Sequence, residues 1–582
     1  MRKAKKTLAV VYDKFEAEQA LDILKGNDDF EIIALTLDAE FYVADKLASF
    51  KNPLYNLIEK SYQKNSDYIF DNFKISYRWT NNTEYQYIRD RLGYYLAEFD
   101  RSFDFATRAI NLYKPKKLII GSQRDFVGSS VIFGTLKTNA FYLLAKERKI
   151  PFILIKPKLK PKSLKQTVGE LLHSLRTIKK QATPNGCDVL LLATARQLCQ
   201  IENLASEMNN SRINVSSLTY NVTLEYKKKL KFLSEYLEKE KIMDNILRSR
   251  AKTLYENFLA KKNWQKFSFP KYQNHKYVIN SLKKKVEQES VESMGAIFQD
   301  IVLADYVLKK IKPKILLTLT DPDTKVLPYI NKAKDLGIKT VCIQHGAIYP
   351  FDSPAIYPVS DFFVAWSKLS KAWLQRNSYF KKTDVLVGQS PFHRLKKYEN
   401  VPTKTGLRIL YLNTAHLVDQ GLINFHLKSL FQKLNHFEKP VNIYLRLHPN
   451  QVQYSWNLDW VANLGRLNVL WANNESLENA LGKVDLVIFE DTTAGFDAML
   501  AGKPTIYYNP YTGEDFFNVG KNKASLAILS EKDMGKFLEF LKDYKKQRKF
   551  SLNGYSYAKN YLGLDTVANR NVVAIKKIIN LK

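Results

Sequence analysis

The sequence predicts an α/β protein in which helices cover parallel β-sheets. Short apolar runs rich in Val, Ile and Leu recur along the 582-residue chain, and longer segments with helical spacing follow them. The first such series is TLAVVYD, KFEAEQALDILKG and FEIIALTLD. Strands buried on both faces of a parallel sheet are nearly continuous apolar runs. Further runs of this type are KLIIG, PFILIK, DVLLLAT, KILLTLT, LRILYL, VNIYLRL, VDLVIF and KPTIYY.

Three domains are expected from the length and the linkers. A chain of 582 residues exceeds what one hydrophobic core supports. Segments rich in Lys, Pro and Gly, among them KPKLKPKSLKQ, TPNG and YENVPTKTG, mark the boundaries. We predict an N-terminal α/β domain at 1–180, a second α/β domain at 181–400 and a third at 401–582. The Lys- and Glu-rich segment 223–310 has helical periodicity, which indicates a helical insertion in the second domain.

An internal similarity links the first two domains. YKPKKLIIGSQRD at 113–125 and IKPKILLTLTDPD at 311–323 each place Lys-Pro-Lys before a buried strand and polar residues after it. A helix and another apolar strand follow in both segments. The similarity predicts two related αβ units, although Lys-Pro before a strand is also common punctuation between elements.

The formal net charge of +32 indicates which classes of partner the protein could bind. Such a surface attracts anions, such as nucleic acid, an acidic membrane leaflet or phosphorylated substrates, unless it is only a solvated Lys-rich surface. The sequence has no RNA-binding aromatic signature, zinc-finger spacing or helix-turn-helix pattern, so nucleic acid is not an expected partner.

Cysteine usage and hydropathy suggest a cytoplasmic protein. Cys187, Cys199 and Cys342 are odd in number and lack CxxC spacing, which argues against a disulfide framework and a structural zinc site. The basic opening MRKAKK leads into a predicted strand rather than a signal peptide. The chain has no uninterrupted run of about 18 apolar residues, so any membrane association is expected to be peripheral.

The segment VDLVIFEDTTAGFDAMLAGKP predicts a buried strand followed at once by a helix. The strand delivers Glu490 and Asp491 to its carboxyl end, and Thr492 or Thr493 caps the helix that the Gly-Lys-Pro later ends. Threonine hydroxyls, N-terminal amides and the small Gly495 suit a phosphate. Open α/β sheets bind ligands at this end of their strands. An ordinary Thr-capped helix is the alternative.

The segment YLRLHPN predicts a second group at the same edge of the third domain. Its buried strand ends in Arg446, and Pro449 stiffens the exit just after His448. A single histidine at a strand end is more often structural. Beside an arginine and a threonine-lined helix start, it favours contact with a pyrophosphate or leaving group.

The second domain contributes candidate bases. VCIQHGAIYPFD predicts a strand that ends in Gln344, His345 and Gly346, where glycine permits close approach of the backbone and His345 can project into a cleft between domains. TLTDPDT places Asp321 and Asp323 after the neighbouring strand. Both are candidate bases, although Asp-Pro-Asp is also a plain turn.

Taken together, these motifs resemble glycosyltransferases of the GT-B architecture, which have two facing Rossmann-like domains. LRLHPN and TTAGFDAMLAGKP are similar to patterns of capsule-synthesis transferases, and a His-Gly motif with an Asp-Ser-Ser helix occurs in CDP-glycerol glycerophosphotransferases. The HP motif with a Ser/Thr pair also resembles bacterial sialyltransferases. The likeness covers roughly 311–510. Threonines stand where those families usually have serines, and the acidic-acidic-Gly motif of sialyltransferases is absent from the sequence.

The resemblance implies a GT-B enzyme with an additional N-terminal α/β domain and a helical insertion. It implies transfer, of the inverting type, of a sugar or polyol phosphate from a nucleotide-activated donor to a glycan or lipid-linked acceptor of the cell surface. His345 would be the base, and no metal or other cofactor would be required. His448, Thr492 and Thr493 would hold phosphates of the donor, with Glu490 or Asp491 nearby. Arg446 and Gly495 would belong to the same nucleotide-binding set.

Two other functions stay open. A nucleotide-sugar epimerase of the same fold would need acid and base groups on both faces of one sugar and no acceptor. A non-enzymatic basic scaffold would bind a polymer or nucleic acid through degenerate nucleotide folds. Since nucleotide folds host many functions, the fold does not decide among them. A cytoplasmic protein that contacts the inner membrane face peripherally is expected in the transferase case.

Overall fold

The computed structural model describes three parallel sheets. It describes residues 7–54, 57, 87, 89–123, 136–155, 186–220, 236–320, 325–347, 359–376, 384–393, 406–413, 420–448, 465–510, 513–564 and 569–581. Within these ranges the sheets have four, seven and six strands, and every strand pair is parallel. The predicted α/β class is confirmed, and each apolar run named above contains a strand.

The first sheet has the strand order β2-β1-β3-β4. Its strands are β1 (Thr7–Val11), β2 (Phe30–Ala34), β3 (Lys117–Ile120) and β4 (Phe152–Leu154). Its helices are α1 (Lys14–Leu24), α2 (Leu37–Lys46), α3 (Arg89–Tyr113) and α4 (Lys137–Glu147). Apolar side chains of β1 and β3 are fully buried between helices on both faces, as their continuous apolar sequence requires.

The second sheet has the order β11-β10-β9-β8-β5-β6-β7. Its strands are β5 (Val189–Thr194), β6 (Val215–Tyr220), β7 (Tyr236–Glu238), β8 (Ile315–Thr318), β9 (Lys339–Ile343), β10 (Phe362–Ala365) and β11 (Asp384–Val387). The helices between them are α5 (Ala195–Gln200), α6 (Glu202–Asn210), α7 (Lys239–Ile242), α8 (Asn245–Lys261), α9 (Lys276–Ile311), α10 (Leu327–Asp335) and α11 (Lys368–Arg376).

The internal similarity of the first two domains has a structural counterpart. The four strands β4-β3-β1-β2 are arranged as β9-β8-β5-β6 are in the second sheet. The Lys-Pro-Lys entries coincide as well, because Lys114 and Lys312 both end a helix in the left-handed conformation, with φ of 45° and 49°. A left-handed residue followed by proline stops a helix and turns the chain into the next strand.

The helices between β7 and β8 pack against a helix of the first sheet. The long helix α9 shares a hydrophobic core with α3 and with strands of the second sheet. Beside it, the Tyr272 hydroxyl donates to the carboxylate of Asp100, and Lys271 forms a 2.8 Å ion pair with the same carboxylate. Helix α2 of the first sheet also contacts α12 (Gln420–Asn435), a helix of the third sheet, where Lys428 donates to Glu40 at 2.7 Å and lies over the Phe41 ring.

The third sheet has the order β14-β13-β12-β15-β16-β17. Its strands are β12 (Leu407–Leu412), β13 (Val441–Arg446), β14 (Leu467–Trp471), β15 (Leu486–Phe489), β16 (Thr505–Tyr508) and β17 (Leu526–Ile528). Its helices are α12 (Gln420–Asn435), α13 (Leu477–Lys483), α14 (Ala494–Leu500), α15 (Met534–Lys542) and α16 (Tyr544–Tyr561).

The last helix, α17 (Arg570–Ile579), returns to the second sheet. Val572, Ile575 and Ile578 belong to the same core as strands β5, β8 and β9. Lys339 in β9 donates to the carbonyl oxygen of Ile578 at 3.1 Å. The chain therefore crosses between the second and third sheets twice, after β11 and before α17.

None of the helices in the described ranges is both long enough and apolar enough to cross a bilayer.

Candidate functional site

The carboxyl edges of the second and third sheets meet at a seam. The amide of Ala347, which follows β9, donates to the Oγ1 of Thr493, which follows β15, at 3.3 Å. Because both residues lie just beyond the carboxyl ends of parallel strands, the two ligand-binding edges face each other. The second and third sheets are Rossmann-like and face each other, and the last helix, α17, returns to the second sheet. This arrangement is a GT-B-like fold, as expected.

The loop after β9 is held rigidly behind this contact. The buried Gln344 side chain accepts from the Trp366 amide and donates to the Gly346 carbonyl, both at 2.8 Å. The indole of Trp366 donates in turn to the Gln344 carbonyl at 2.6 Å. This framework leaves His345 exposed, with its ring edge-on to Phe392 at 5.0 Å between centroids. The predicted exit of this strand thus presents an imidazole at the seam.

The threonine-led helix start differs from an ordinary capped helix. Thr493 occupies the N-cap position, but its φ and ψ of −60° and −27° are helical and its side chain makes no capping bond. Its hydroxyl accepts from Ala347 instead. Thr492 Oγ1 accepts from the Ala494 amide at 3.4 Å. The amides of Gly346 and Thr493 have no acceptor among the residues that the structure describes. Thr492 and Thr493 are half-buried.

Gly495 has a packing role at this helix start. A Cβ there would lie 2.1 Å from a ring carbon of Phe489 at the end of β15. Its amide donates to the Thr492 carbonyl at 3.1 Å. The missing side chain therefore lets α14 lie directly on the strand. The predicted end of the helix is confirmed, since Gly502 follows with a φ of 72°.

The carboxylates of Glu490 and Asp491 point into the third domain. Glu490 is fully buried, and it accepts from the Tyr411 hydroxyl and, at 2.8 Å, from Asn413 Nδ2. Asp491 is also buried and accepts from the Tyr507 hydroxyl. Burial, followed by the neighbouring carboxylates, raises the pKa of both tyrosines well above its ordinary value. Both carboxylates therefore accept hydrogen bonds from side chains of neighbouring strand ends in the third sheet.

The exit of β13 lies at the same sheet edge as the threonines, two strands away from β15. Arg446 donates to the carbonyl oxygens of Ala472 and Glu475, at 2.6 and 2.7 Å, so its guanidinium holds the loop after β14. His448 is half-buried two residues later. Strand β12 separates β13 from β15, which puts their ends roughly 10 Å apart.

Asn413 is a residue of this edge that was not predicted from the sequence. It follows β12, its amide donates to the Arg446 carbonyl at 3.0 Å, and its side chain donates to Glu490 at 2.8 Å. It therefore links the exits of β13 and β15. The signal in the sequence was present, because LRILYLNT ends a buried strand in polar residues as the other exits do.

His393 and Asp497 form a second group that was not predicted from the sequence, and it lies beside Phe392, which the His345 ring contacts. His393 follows β11 and is buried, and its Nδ1 lies 2.5 Å from the Oγ of Ser390. Its Nε2 lies 3.7 Å from Oδ2 of Asp497, one turn into α14. Burial lowers the pKa of His393 to about 3. Burial, with a smaller contribution from Glu478, raises the pKa of Asp497 to about 7, although 31% of its side chain stays exposed. Ser390 is too buried to act as a nucleophile on a substrate.

The second crossing of the chain closes the seam. Gly563 has a φ of 70°, and a Cβ there would lie 2.1 Å from the Trp366 carbonyl oxygen. The Ser390 amide donates to the Leu562 carbonyl at 2.8 Å. Asn571 then exchanges two hydrogen bonds with the backbone of Gln389, at 2.8 and 3.1 Å. The relative position of the two sheets is thus set by backbone contacts close to the candidate site.

Asp321 and Asp323 lie outside the described residues. Within the described ranges, no three His, Cys, Asp or Glu side chains come together in a group that could hold a metal ion.

No protein-family model and no curated protein sequence matches the chain. Solved structures with a similar fold include MurG from Acinetobacter baumannii, at 13% identity and a TM-score of 0.38 over 68% of this chain and 100% of MurG. The UDP-GlcNAc 2-epimerase from Neisseria meningitidis bound to UDP-GlcNAc matches at 13% identity and a TM-score of 0.40, over 67% and 99% of the chains. The spinosyn rhamnosyltransferase SpnG matches at 10% identity and 0.35, over 68% and 100%. Similarity of this degree carries no information about the activity of this chain.

Proposed function

We propose that the protein is a glycosyltransferase that uses a nucleotide-activated donor. It moves a sugar or a polyol phosphate to a hydroxyl of a surface-polysaccharide or lipid-linked acceptor. The observation that carries the proposal is the hydrogen bond from the Ala347 amide to Thr493 Oγ1 at 3.3 Å. It brings the loop that presents His345 against the helix start that carries the threonine pair. A base and a group of anion donors therefore lie on opposite sides of one seam.

The third domain supplies the donor side. The hydroxyls of Thr492 and Thr493 are half-buried at the seam, and the Thr493 amide has no acceptor within the described ranges. Fixed donors of this kind stabilise the negative charge that grows on a nucleotide leaving group. His448 lies along the same edge and is assigned to the phosphates as well. Metal independence belongs to the proposal, because these groups can meet that charge; unchanged turnover in a chelator is the expected result.

The second domain supplies the acceptor side. His345 is exposed on a loop whose neighbours Gln344 and Gly346 are fixed by hydrogen bonds. A base needs such a fixed position to take the proton of an attacking hydroxyl. In the transfer, the acceptor oxygen forms the new bond to the donor group. The bond between the donor group and the nucleotide phosphate breaks, and its electron pair leaves with the nucleotide. The proton of the acceptor hydroxyl passes to the imidazole of His345.

A donor screen followed by turnover of three variants tests the proposal. CMP-, CDP-, UDP- and GDP-linked donors are added to the purified protein, and the ligand that raises the unfolding temperature is taken forward. Acceptor-dependent release of nucleotide is then measured. His345→Ala, and Thr492→Ala with Thr493→Ala, should each abolish turnover with the unfolding temperature unchanged. His436→Ala, at an exposed histidine of the third domain away from the seam, is the matched control and should keep full turnover.

The same assay decides among the other functions. An epimerase converts the nucleotide sugar without an acceptor, so isomerised sugar in the acceptor-free reaction would replace the transferase proposal. A scaffold shows neither isomerisation nor nucleotide release with any donor. Turnover that survives in both the histidine and the threonine variants would refute the assignment of the site.

A further inference from the structure

Helix α16 presents an exposed face that is both basic and apolar. Gln547, Gly554, Ala558 and Tyr561 are its buried residues. Their spacing of three, four and seven is that of one helix face. The opposite side, which we call the α16 face, consists of Tyr544, Lys545, Arg548, Lys549 and Leu552.

The cations of the α16 face have no acidic partner. Among the described residues, no Asp or Glu forms an ion pair with Lys545, Arg548 or Lys549, nor with the half-buried Lys546 beside them. The neighbouring helix α15 differs, since Lys536 pairs with Asp533 and Lys542 pairs with Glu438, at 2.8 and 2.9 Å. Four cations at neighbouring positions that form no ion pair repel one another, and an anionic surface would relieve that repulsion.

Apolar side chains stand among these cations. Leu552 keeps 56% and Tyr544 keeps 47% of its surface exposed. Tyr544, Arg548 and Leu552 are spaced by four residues, which places them in one row along the helix. A helix that lies on a membrane combines this pattern, with an apolar row in the interface and Lys or Arg at its flanks. A solvated lysine face has no need of the exposed leucine.

We propose that the α16 face docks the protein on an anionic lipid surface. The cations attract acidic headgroups, while Leu552 and Tyr544 enter the boundary between headgroups and acyl chains. A nucleic acid or an anionic glycan would use the cations alone and gain little from an exposed leucine. The inference depends on charge and exposure, and it stands independently of the transferase activity.

The docking face lies directly behind the candidate site. The buried side of α16 supports α14, where Ser551 donates to the Gly502 carbonyl at 2.5 Å and Gly554 packs on Met499. The end of α16 leads through Leu562 into the seam. Only the thickness of α16, about 10 Å, separates the docked face from α14. A lipid-linked substrate would then be within reach of the seam.

Vesicle binding by the full-length protein tests the docking face. Binding is measured by co-sedimentation with vesicles of phosphatidylcholine alone and with vesicles that also contain phosphatidylglycerol, at low and high salt. The protein should bind only the anionic vesicles, and salt should weaken binding. Arg548→Glu with Lys549→Glu should lower the partition coefficient by at least about 25-fold, since each lost cation near an anionic surface removes about fivefold and each new carboxylate adds repulsion. Leu552→Ser should weaken vesicle binding but not binding to heparin, a soluble polyanion.

A charge-matched control separates a docking face from the overall charge. Lys283→Glu with Lys284→Glu makes the same change in net charge at two exposed lysines of α9. Equal losses in the two double variants would overturn the proposal, because the net charge of the protein would then govern binding. Leu552→Ser with unchanged vesicle binding would also overturn it, in favour of a soluble polyanion as the partner. Neither result bears on nucleotide release, which tests the proposed activity separately.

Discussion

The imidazole of His393 and the carboxylate of Asp497 meet across the seam, with Nε2 and Oδ2 3.7 Å apart. His393 belongs to the loop after the last strand of the second sheet, and Asp497 belongs to the helix that begins at the threonine pair. The ring of His345 rests on Phe392, the residue before His393. This pair of side chains therefore connects α14 with the loop on which the His345 ring rests.

The protonation of Asp497 should make stability depend on pH. Its pKa is raised to about 7 in the folded protein, so the unfolded chain releases this proton more readily. Stability from this group is present at low pH and is lost as pH rises from about 4 to about 7. Asp497→Asn should therefore become more stable than wild type by about 1 kcal/mol on going from pH 5 to pH 8, with allowance for the exposed part of the carboxylate. Urea unfolding at both pH values measures this; a constant difference contradicts it.

His393 should give the opposite dependence. Its pKa falls to about 3 on folding, so the unfolded chain binds the proton more readily. Its contribution is fully present above about pH 6.5 and is lost as pH falls toward 3. Relative to His393→Gln, wild type should lose about 2 kcal/mol between pH 7 and pH 5. The same unfolding experiment applies, and a wild type that gains stability relative to the variant at pH 5 would show that the ring is charged in the folded state.

The Thr493 hydroxyl should matter to turnover more than to folding. Thr493→Val keeps the shape of the side chain but removes the acceptor of the Ala347 amide. Thr493→Ser keeps the hydroxyl. We expect the serine variant to retain turnover within a few fold and the valine variant to lose it by about 100-fold, as for loss of one fixed donor to a growing charge. Equal turnover of the two variants in the nucleotide-release assay would remove the hydroxyl from the mechanism.

The buried pair of Tyr411 and Glu490 should stabilise the strand ends of the third sheet. Tyr411→Phe removes one hydrogen-bond donor from the fully buried carboxylate of Glu490, which keeps the bond from the Asn413 side chain. The expected loss is about 1–3 kcal/mol in the free energy of unfolding. Tyr444→Phe, at a half-buried tyrosine of β13, is the control and should cost less than about 0.5 kcal/mol.

Two glycines with the same φ allow the cost of backbone strain to be separated from the cost of a steric clash at the seam. Gly563 and Gly337 both have a φ of 70°, but a Cβ meets the Trp366 carbonyl at 2.1 Å in the first and nothing within 4 Å in the second. Gly337→Ala should cost about 1 kcal/mol from the left-handed conformation alone. Gly563→Ala should cost more than about 3 kcal/mol, because the segment after α16 must also move away from the Trp366 carbonyl oxygen. Thermal unfolding of both variants measures the difference, and equal costs would show that the seam yields easily.

Much of the fold could be read from the order of residues. The continuous apolar runs predicted parallel strands because both faces of each strand are covered, and β5, β12 and β15 are such strands. The end of α14 before Gly502 was also predictable, since a left-handed glycine with a proline two residues later is a local stop signal. Ligands of open α/β sheets bind at the carboxyl ends of the strands. Thr493 and His345 were therefore placed in one predicted site, because both follow buried strands.

Other features of the site depend on contacts between distant segments. Glu490 was expected beside a phosphate, yet its carboxylate turns inward because Tyr411 on the adjacent strand offers it a donor. Arg446 holds the carbonyl oxygens of a loop whose course the sequence does not specify. His393 and Asp497 are more than a hundred residues apart, and no local pattern marks them as neighbours.

The sequence by itself determined the parallel sheets, their strand exits and the helix start at the threonines, because hydrophobic periodicity and backbone stereochemistry act over a few neighbouring residues. Only the tertiary structure decided which exits face each other, which polar groups turn inward and which stay available to a ligand. The facing of the exits depends on the return of α17 to the second sheet and on the close approach at Gly563. The inward turn of polar groups depends on donors from neighbouring strands, such as Tyr411. Contacts of both kinds join distant segments, so no short segment encodes them.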